Sequence, residues 1–180
     1  MHLKIPQRLQ VQTFLQLKQA KPFPIPSYSH DDITSAWSSI HKAFPKPDYA
    51  IRAAVFNIGH GVWKPFLDIT PQDVQDTLQT GVAAAFSFSR GAILSFKENE
   101  IEEGNGKKGT LIFTGATSAT RGNVVTSAFS ASKFGARALS QSLAKEFGKE
   151  NIHVAHVSFL CLFQLMSLED SANIISYILW

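Results

Sequence analysis

Two side chains in the second half of the chain are spaced so that both project from one helix face toward a polar loop. Phe129 and Lys133 are four residues apart in the run FSASK, and residues at this spacing project from one face of an α-helix. The polar stretch before them, from Thr114 to Thr126, carries the hydroxyls of Thr117 and Ser118. A hydroxyl transfers protons poorly unless a base activates it. Proton transfer here would therefore depend on Lys133, either alone or through water.

The surrounding pattern predicts a strand, a loop, a long helix and a second strand. Thr110–Phe113 and Ile152–Val157 are short, apolar and β-prone, as expected of buried parallel strands. Between them we predict a helix from about Ala128 to Phe147, with Gly148 as its stop signal. Its apolar positions recur at helical spacing: Ala136, Leu139, Leu143 and Phe147. Such a βαβ unit places the Thr114–Thr126 loop at the carboxyl end of a strand, where sites commonly form.

The segment Gly109–Val157 resembles the active-site half of the short-chain dehydrogenase/reductases, whose signature is Tyr-x-x-x-Lys after a loop that carries a serine. The resemblance extends from about Phe23 to Val157. It implies an α/β fold, namely a three-layer Rossmann-like fold with a mostly parallel sheet. It also implies NAD(P)-linked chemistry on a small-molecule carbonyl or alcohol.

The resemblance assigns catalytic roles residue by residue. In the family, a tyrosine exchanges the hydroxyl proton, a lysine lowers that tyrosine's pKa and holds the nicotinamide ribose, and a serine polarises the carbonyl. Lys133 matches the lysine, whereas Phe129 stands at the tyrosine position and has no O–H. Ala116 stands at the serine position, with Thr117 and Ser118 directly after it.

A fourth family residue is an asparagine that supports a proton-relay water. Matching the long helix through Phe86 and Arg90 places Gly81 at that position. Three of the four roles thus fall on residues that lack the required group.

A second motif concerns the cofactor. Tyr49–Phe56 reads as a strand, and the Asn57-Ile58-Gly59 that follows resembles the Asn-Asn-Ala-Gly that lines the cofactor in the family. By this resemblance Asn57, Ile58, Gly59, Thr114 and Lys133 would line NADP or NAD. Asn and Gly also tolerate left-handed geometry, so an ordinary strand-to-turn signal is the alternative reading.

Two more elements are predicted before the strand Tyr49–Phe56. Pro22–Ser29 looks like a short strand limited by its prolines, and Ser27 falls where the family has an adenine-binding Asp. Asp32 is a suitable N-cap for the next helix. The buried side of that helix would contain Ile33, Trp37 and Ile40.

The longest helix should begin at Thr70-Pro71, because a capping threonine before a proline is a strong start signal, and should run to about Lys97. Helices at this place in the family form oligomer bundles, which implies a possible homodimer or homotetramer. Gly104–Gly109 matches G-x-G-x-x-G letter for letter. Because it follows a helix and leads into a strand, we predict a turn and not a phosphate site.

The two ends fall outside the resemblance, which divides the chain into residues 1–22, 23–157 and 158–180. We expect the family's first strand and Gly-rich turn to be lacking, since nothing in 1–22 replaces them. That segment suits a helix docked on the sheet, a targeting segment or disorder. The tail, 158–180, suits a short amphipathic helix better than a membrane anchor, because its apolar runs are too short to span a bilayer.

Composition narrows the classes of function. The net charge of +3 is small and scattered, which argues against nucleic acid as a partner. The single cysteine, Cys161, suits a reducing compartment, and we expect a cytoplasmic protein. Three readings stay open: a weak or atypical NAD(P)-dependent oxidoreductase, a non-catalytic binding or oligomerisation protein with a Rossmann fold, and a truncated non-functional product.

Overall fold

The computed structural model of the protein describes residues 21–159, which form an α/β unit around three strands. The strands are β1 (Ala53–Phe56), β2 (Gly109–Ala116) and β3 (Ile152–Phe159). The helices are α1 (His30–Ala43), α2 (Pro71–Leu78), α3 (Ala84–Lys97) and α4 (Ser127–Phe147). A π-helical turn, Gln79–Ala83, joins α2 to α3, so the two continue one another as the predicted long helix.

The three strands are parallel, in the order β1-β2-β3. Phe113 of the central strand is level with Phe56 on one side and His156 on the other. Because parallel strands end at the same edge of a sheet, the segments after β1 and β2 lie side by side. The predicted parallel α/β fold of Rossmann type is confirmed.

The helices of the described residues pack on one face of this sheet. Phe56 and Phe113 on that face have ring centroids 6.0 Å apart, and Phe88 of α3 packs 5.6 Å from Phe56. Helix α4 lies beside α2 and the π-helical turn, and a Cβ added at Gly135 would fall 2.9 Å from Val82 of that turn. Burial of these aromatic and aliphatic side chains is the main favourable term for the unit.

The opposite face of the sheet is not covered by the described helices. Alternation along the strands places Val55, Ile112 and Val157 there, and Val157 is 41% exposed. Residues 21–159 therefore contain two of the three predicted layers.

The first predicted strand is wrong, because Pro22–Ser29 has no strand conformation. Its three prolines lack the N–H groups that a strand must donate, and Ile25 instead packs against the core. The predicted N-cap is also wrong. Helix α1 starts earlier, at His30, and the hydroxyl of Ser29 accepts the N–H of Asp32. The buried side of α1 is as predicted, with Ile33 and Trp37 in the core.

Two strand boundaries differ from the prediction. Strand β1 begins at Ala53, four residues after Tyr49, whose ring packs against Phe44 instead. Strand β2 continues to Ala116, so the loop that was expected to begin at Thr114 begins at Thr117. The extra length arises because β3 also continues, to Phe159, and pairs with β2 as far as Ala116.

The helix signals in the middle of the chain are confirmed. Thr70 and Asp73 form a full capping box at the start of α2. The glycine-rich run before β2 is a turn closed by a bridge between Glu102 and Lys107, and Gly106 adopts a φ of 67° that favours glycine. The predicted turn is therefore present, and no helix follows these glycines.

None of the helices within residues 21–159 combines the length and apolar character needed to cross a membrane. The predictions for residues 1–20, for the tail from 160 onward and for Cys161 lie outside the described residues.

Replacing Gly109 with alanine is expected to lower the free energy of unfolding by about 1–3 kcal/mol, the usual cost of overpacking a core. The new Cβ would fall 2.2 Å from the ring of Phe96, which is fully buried and has no room to move. Gly104→Ala is the matched control, because nothing lies within 4 Å of a Cβ there. Chemical denaturation measures both variants, and unchanged stability of Gly109→Ala would contradict this packing.

Candidate active site

The predicted site residues lie where the carboxyl ends of β1 and β2 meet the first turns of α4. Asn57, Ile58 and Gly59 follow β1 directly, and Thr114 is near the end of β2. Lys133 projects from α4 toward both ends. The parallel pairing of β1 with β2 is what brings these segments together.

Lys133 is the centre of this arrangement. Its Nζ donates a hydrogen bond of 3.1 Å to the backbone carbonyl of Thr114. A Cβ added at Gly59 would fall 3.3 Å from the same Nζ, so the ammonium lies against the backbone after β1. Three of the predicted cofactor-lining residues, Gly59, Thr114 and Lys133, are therefore adjacent. Asn57 is exposed, and Ile58 packs partly against the core.

Burial lowers the pKa of Lys133 below the ordinary lysine value. Three ion pairs occur among the described residues, Lys46–Glu98, Lys64–Asp73 and Lys97–Glu150, and Lys133 is in none of them. The hydrogen bond to the Thr114 carbonyl uses one of the three N–H donors of the ammonium. The site thus holds a partly buried cation with donor capacity that the described protein atoms do not use.

His156 of β3 is a site residue that sequence reasoning missed. Its ring packs over Gly115, where an added Cβ would fall 2.2 Å from Cε1, and its Nε2 is buried without a hydrogen-bond partner in the described part of the chain. Burial, followed by the charges of Arg137 and Lys133, lowers its pKa. The signal was present in the alternation Ile152, Val154, His156, which puts this histidine on the helix-covered face.

Phe129 shares a face with Lys133, as predicted. The centre of its ring is 5.8 Å from Nζ, and the ring of Trp63 packs against it with centroids 5.4 Å apart. Phe129 therefore stands where the family has a tyrosine, and Trp63 packs against its ring. Neither side chain has an ionisable group.

Several hydroxyl groups lie near Ala116, the predicted serine position, but none in the described residues forms a hydrogen bond with Lys133. Ala116 is the last residue of β2, and the Ser158 hydroxyl donates to its carbonyl at 3.3 Å. Thr117 and Ser118 form a 3-10 turn, and no hydrogen bond within residues 21–159 links their hydroxyls to Lys133. They remain predicted substitutes for the serine.

The serines beside Lys133 on α4 have structural roles. Ser130 is buried and shares a 3.0 Å hydrogen bond with Thr126. Ser132 is buried against the π-helical turn, where its Oγ occupies the space that a side chain at Gly81 would need. The predicted asparagine position therefore offers no side chain and is filled by a neighbouring hydroxyl.

Replacing Lys133 with methionine is expected to reduce the dependence of stability on pH. Because burial lowers the lysine pKa in the folded state, the unfolded chain binds more protons between the folded-state pKa and the ordinary value of 10.5. Stability of the wild type should therefore rise with pH across this window, and Lys133→Met should lose that rise.

The matched control is Lys145→Met, on an exposed position of the same helix. Urea denaturation of all three proteins between neutral pH and pH 10.5 makes the comparison. A pH slope of Lys133→Met equal to that of the wild type would show that the ammonium is not desolvated.

Comparison with known proteins identifies the family of the chain and known structures with a similar fold. The family model described as short chain dehydrogenase matches residues 9–161, which extends beyond the predicted resemblance at both ends. A search of curated proteins finds no match. Among solved structures, a short-chain dehydrogenase from Rhodopseudomonas palustris is 29% identical, with a TM-score of 0.62 over 73% of this chain and 56% of that one.

A gluconate 5-dehydrogenase from Burkholderia cenocepacia J2315, solved with NADP and tartrate, has a TM-score of 0.62 over 73% of this chain and 47% of that one. At 14% identity this second similarity concerns the fold alone. The chain spans about half the length of these two structures. With its family model matched over residues 9–161 and its parallel sheet and Lys133 arranged as described, the chain belongs to the short-chain dehydrogenase family.

Proposed function

We propose that the protein is an NAD(P)-dependent oxidoreductase that acts on a small carbonyl or alcohol with weakened acid–base catalysis. The observation that carries this proposal is the Lys133 ammonium, which is held by the Thr114 carbonyl beside Gly59 and has no acidic partner among the described residues. Family membership supports it.

The described residues fit the ribose end of such a cofactor. Ribose hydroxyls accept hydrogen bonds, and Lys133 has donors to give beyond the one that Thr114 receives. The absence of a side chain at Gly59 leaves space beside Nζ that a Cβ would fill.

When bound, the nicotinamide would supply or accept the hydride. Lys133 would orient the ribose, and the lowering of its pKa by burial would ease the sharing of a proton with water at that point. Phe129 would contribute shape without a proton, so the substrate oxygen would exchange its proton with water or with Lys133. Thr117 or Ser118 would polarise the carbonyl after a small shift of their turn. Loss of positioned acid–base groups lowers the rate of the catalysed reaction by about 10²–10⁴-fold, so we expect slow turnover.

Nucleotide binding is the first test. NADPH or NADH is expected to raise the melting temperature of the protein saturably and to change nicotinamide fluorescence. Lys133→Met should weaken both effects because it removes the ribose donor, whereas Lys145→Met should not. If the protein is folded but millimolar NADPH and NADH change neither its melting temperature nor the nicotinamide fluorescence, the proposed oxidoreductase function is wrong.

In that case the alternative is a non-catalytic protein that uses the fold for association. The outer side of the long helix supports it, because Leu78, Phe86 and Leu94 are exposed there. A homodimer or homotetramer that forms without nucleotide would favour this second function. Either function is compatible with the cytoplasmic location that we propose.

Restoring the missing groups should increase turnover. The double variant Phe129→Tyr/Ala116→Ser is expected to oxidise NADPH with a panel of carbonyl substrates at least about 10²-fold faster than the wild type, because it adds a phenol beside Lys133 and a hydroxyl at the end of β2. Adding Lys133→Met to the double variant should remove most of the gain, since the lysine then no longer lowers the phenol's pKa. No gain in a protein that binds nucleotide would show that the described geometry does not align these positions.

A further inference from the structure

Two loops beside the Lys133 site carry large apolar side chains that face solvent. Trp63 is 64% exposed and Leu67 is 93% exposed in the loop between β1 and α2, and Phe66 between them is exposed as well. Val124, on the loop before α4, is also exposed. Single exposed apolar residues need no explanation, but a group of them on adjoining loops marks a binding surface.

The two loops are tied together and therefore hold a defined shape. The N–H of Lys64 donates a 3.0 Å hydrogen bond to the carbonyl of Val125. The Lys64 ammonium also contacts both carboxylate oxygens of Asp73, at 2.9 and 2.8 Å, which attaches the first loop to the start of α2. Val125 has a φ of 60°, a conformation that β-branched residues rarely adopt unless surrounding contacts hold them there.

Trp63 is positioned by contacts on its inner side. A Cβ added at Gly61 would fall 2.1 Å from the indole, so the ring occupies space that only glycine leaves free. The ring also packs against Phe129 at a centroid distance of 5.4 Å, and Phe129 lies 5.8 Å from the Lys133 Nζ. An aromatic surface thus extends from solvent, through Trp63 and Phe129, to the candidate reacting position.

We infer that the site selects flat aromatic alcohols and carbonyls, which stack on Trp63 while their oxygen reaches toward Lys133. This inference rests on the proposed function for the identity of the reacting group. Aromatic rings gain from stacking beyond the area they bury, and Trp63 still has most of its surface free to provide it. A polyol would instead place hydroxyls against Trp63 and Phe129, which offer no acceptor, so those hydroxyls would lose hydrogen bonds to water.

Binding of 2-naphthalenemethanol tests the inference, with sorbitol as the polyol and cyclohexylmethanol as the non-aromatic apolar alcohol. Saturation-transfer NMR and tryptophan fluorescence measure binding with and without NADP. We expect the naphthyl alcohol to bind more tightly than either other alcohol. Trp63→Ala should weaken its binding by about tenfold, in line with loss of an aromatic contact and its buried area.

Three further variants separate stacking from general disruption. Trp63→Phe should retain binding to within a few-fold, because a phenyl ring can still stack. Gly61→Ala should weaken binding although Trp63 is kept, since the new Cβ displaces the indole. Ile101→Ser should leave binding unchanged, because Ile101 is an exposed apolar residue on the loop before β2, at the opposite end of the strands from Trp63. Thermal melting confirms that each variant is folded.

Equal binding by wild type and Trp63→Ala, or equal binding of sorbitol, would overturn the inference. Self-association that depends on Trp63 without alcohol binding would also overturn it, because the surface would then be a protein contact. If the naphthyl alcohol binds but neither nucleotide does, the proposed oxidoreductase function is wrong and the aromatic binding site at Trp63 is supported. Nucleotide binding without alcohol binding would reject the aromatic site alone.

Discussion

The pairing of β2 with a parallel neighbour on each side is the constraint on which the structure depends. It sets Phe113 level with Phe56 and His156, so that one face of the sheet is continuous and apolar enough to receive the helices. It also brings the ends of β1 and β2 to one edge. Without that register, Gly59 and Thr114 would not both lie next to Lys133, because they are far apart in sequence, Gly59 after β1 and Thr114 within β2.

A partly buried ammonium without an acidic partner is unfavourable for stability, since desolvation penalises the charged form. The unit tolerates Lys133 because the Thr114 carbonyl offsets part of that cost and because the core elsewhere is well packed. Sites where local rules are broken are commonly functional. The buried Nε2 of His156 on the neighbouring strand has no hydrogen-bond partner within residues 21–159 and adds a second unfavourable group beside Lys133.

The absence of a hydroxyl on the ring of Phe129 changes what this edge of the sheet can do. Phe129 cannot exchange a proton, yet its ring supports Trp63 and keeps the surface next to Lys133 apolar. Under the proposed function, the loss of the phenol would weaken acid–base catalysis while the ring of Phe129 would still support an aromatic surface for flat ligands. Binding and proton transfer are separable properties of such a site, and the proposed function assigns this chain more residues for the first than for the second.

Local patterns in the sequence by themselves determined the helices and much of the site. Periodic apolar residues defined α4, the Thr70 capping box defined the start of α2, and a four-residue spacing put Phe129 and Lys133 on one face. These succeed because helix periodicity and capping depend on neighbours within a few residues. The turn at Gly104–Gly109 was predictable for the same reason.

Only the tertiary structure decided which residues meet across strands and loops. The length of β2 followed from its pairing with β3. The contact of Trp63 with Phe129 joined the loop after β1 to the first turn of α4, two segments distant in sequence. The burial of His156 likewise depended on a helix that packs over its strand. Contacts of this kind are set by sheet register and packing, which local patterns do not encode.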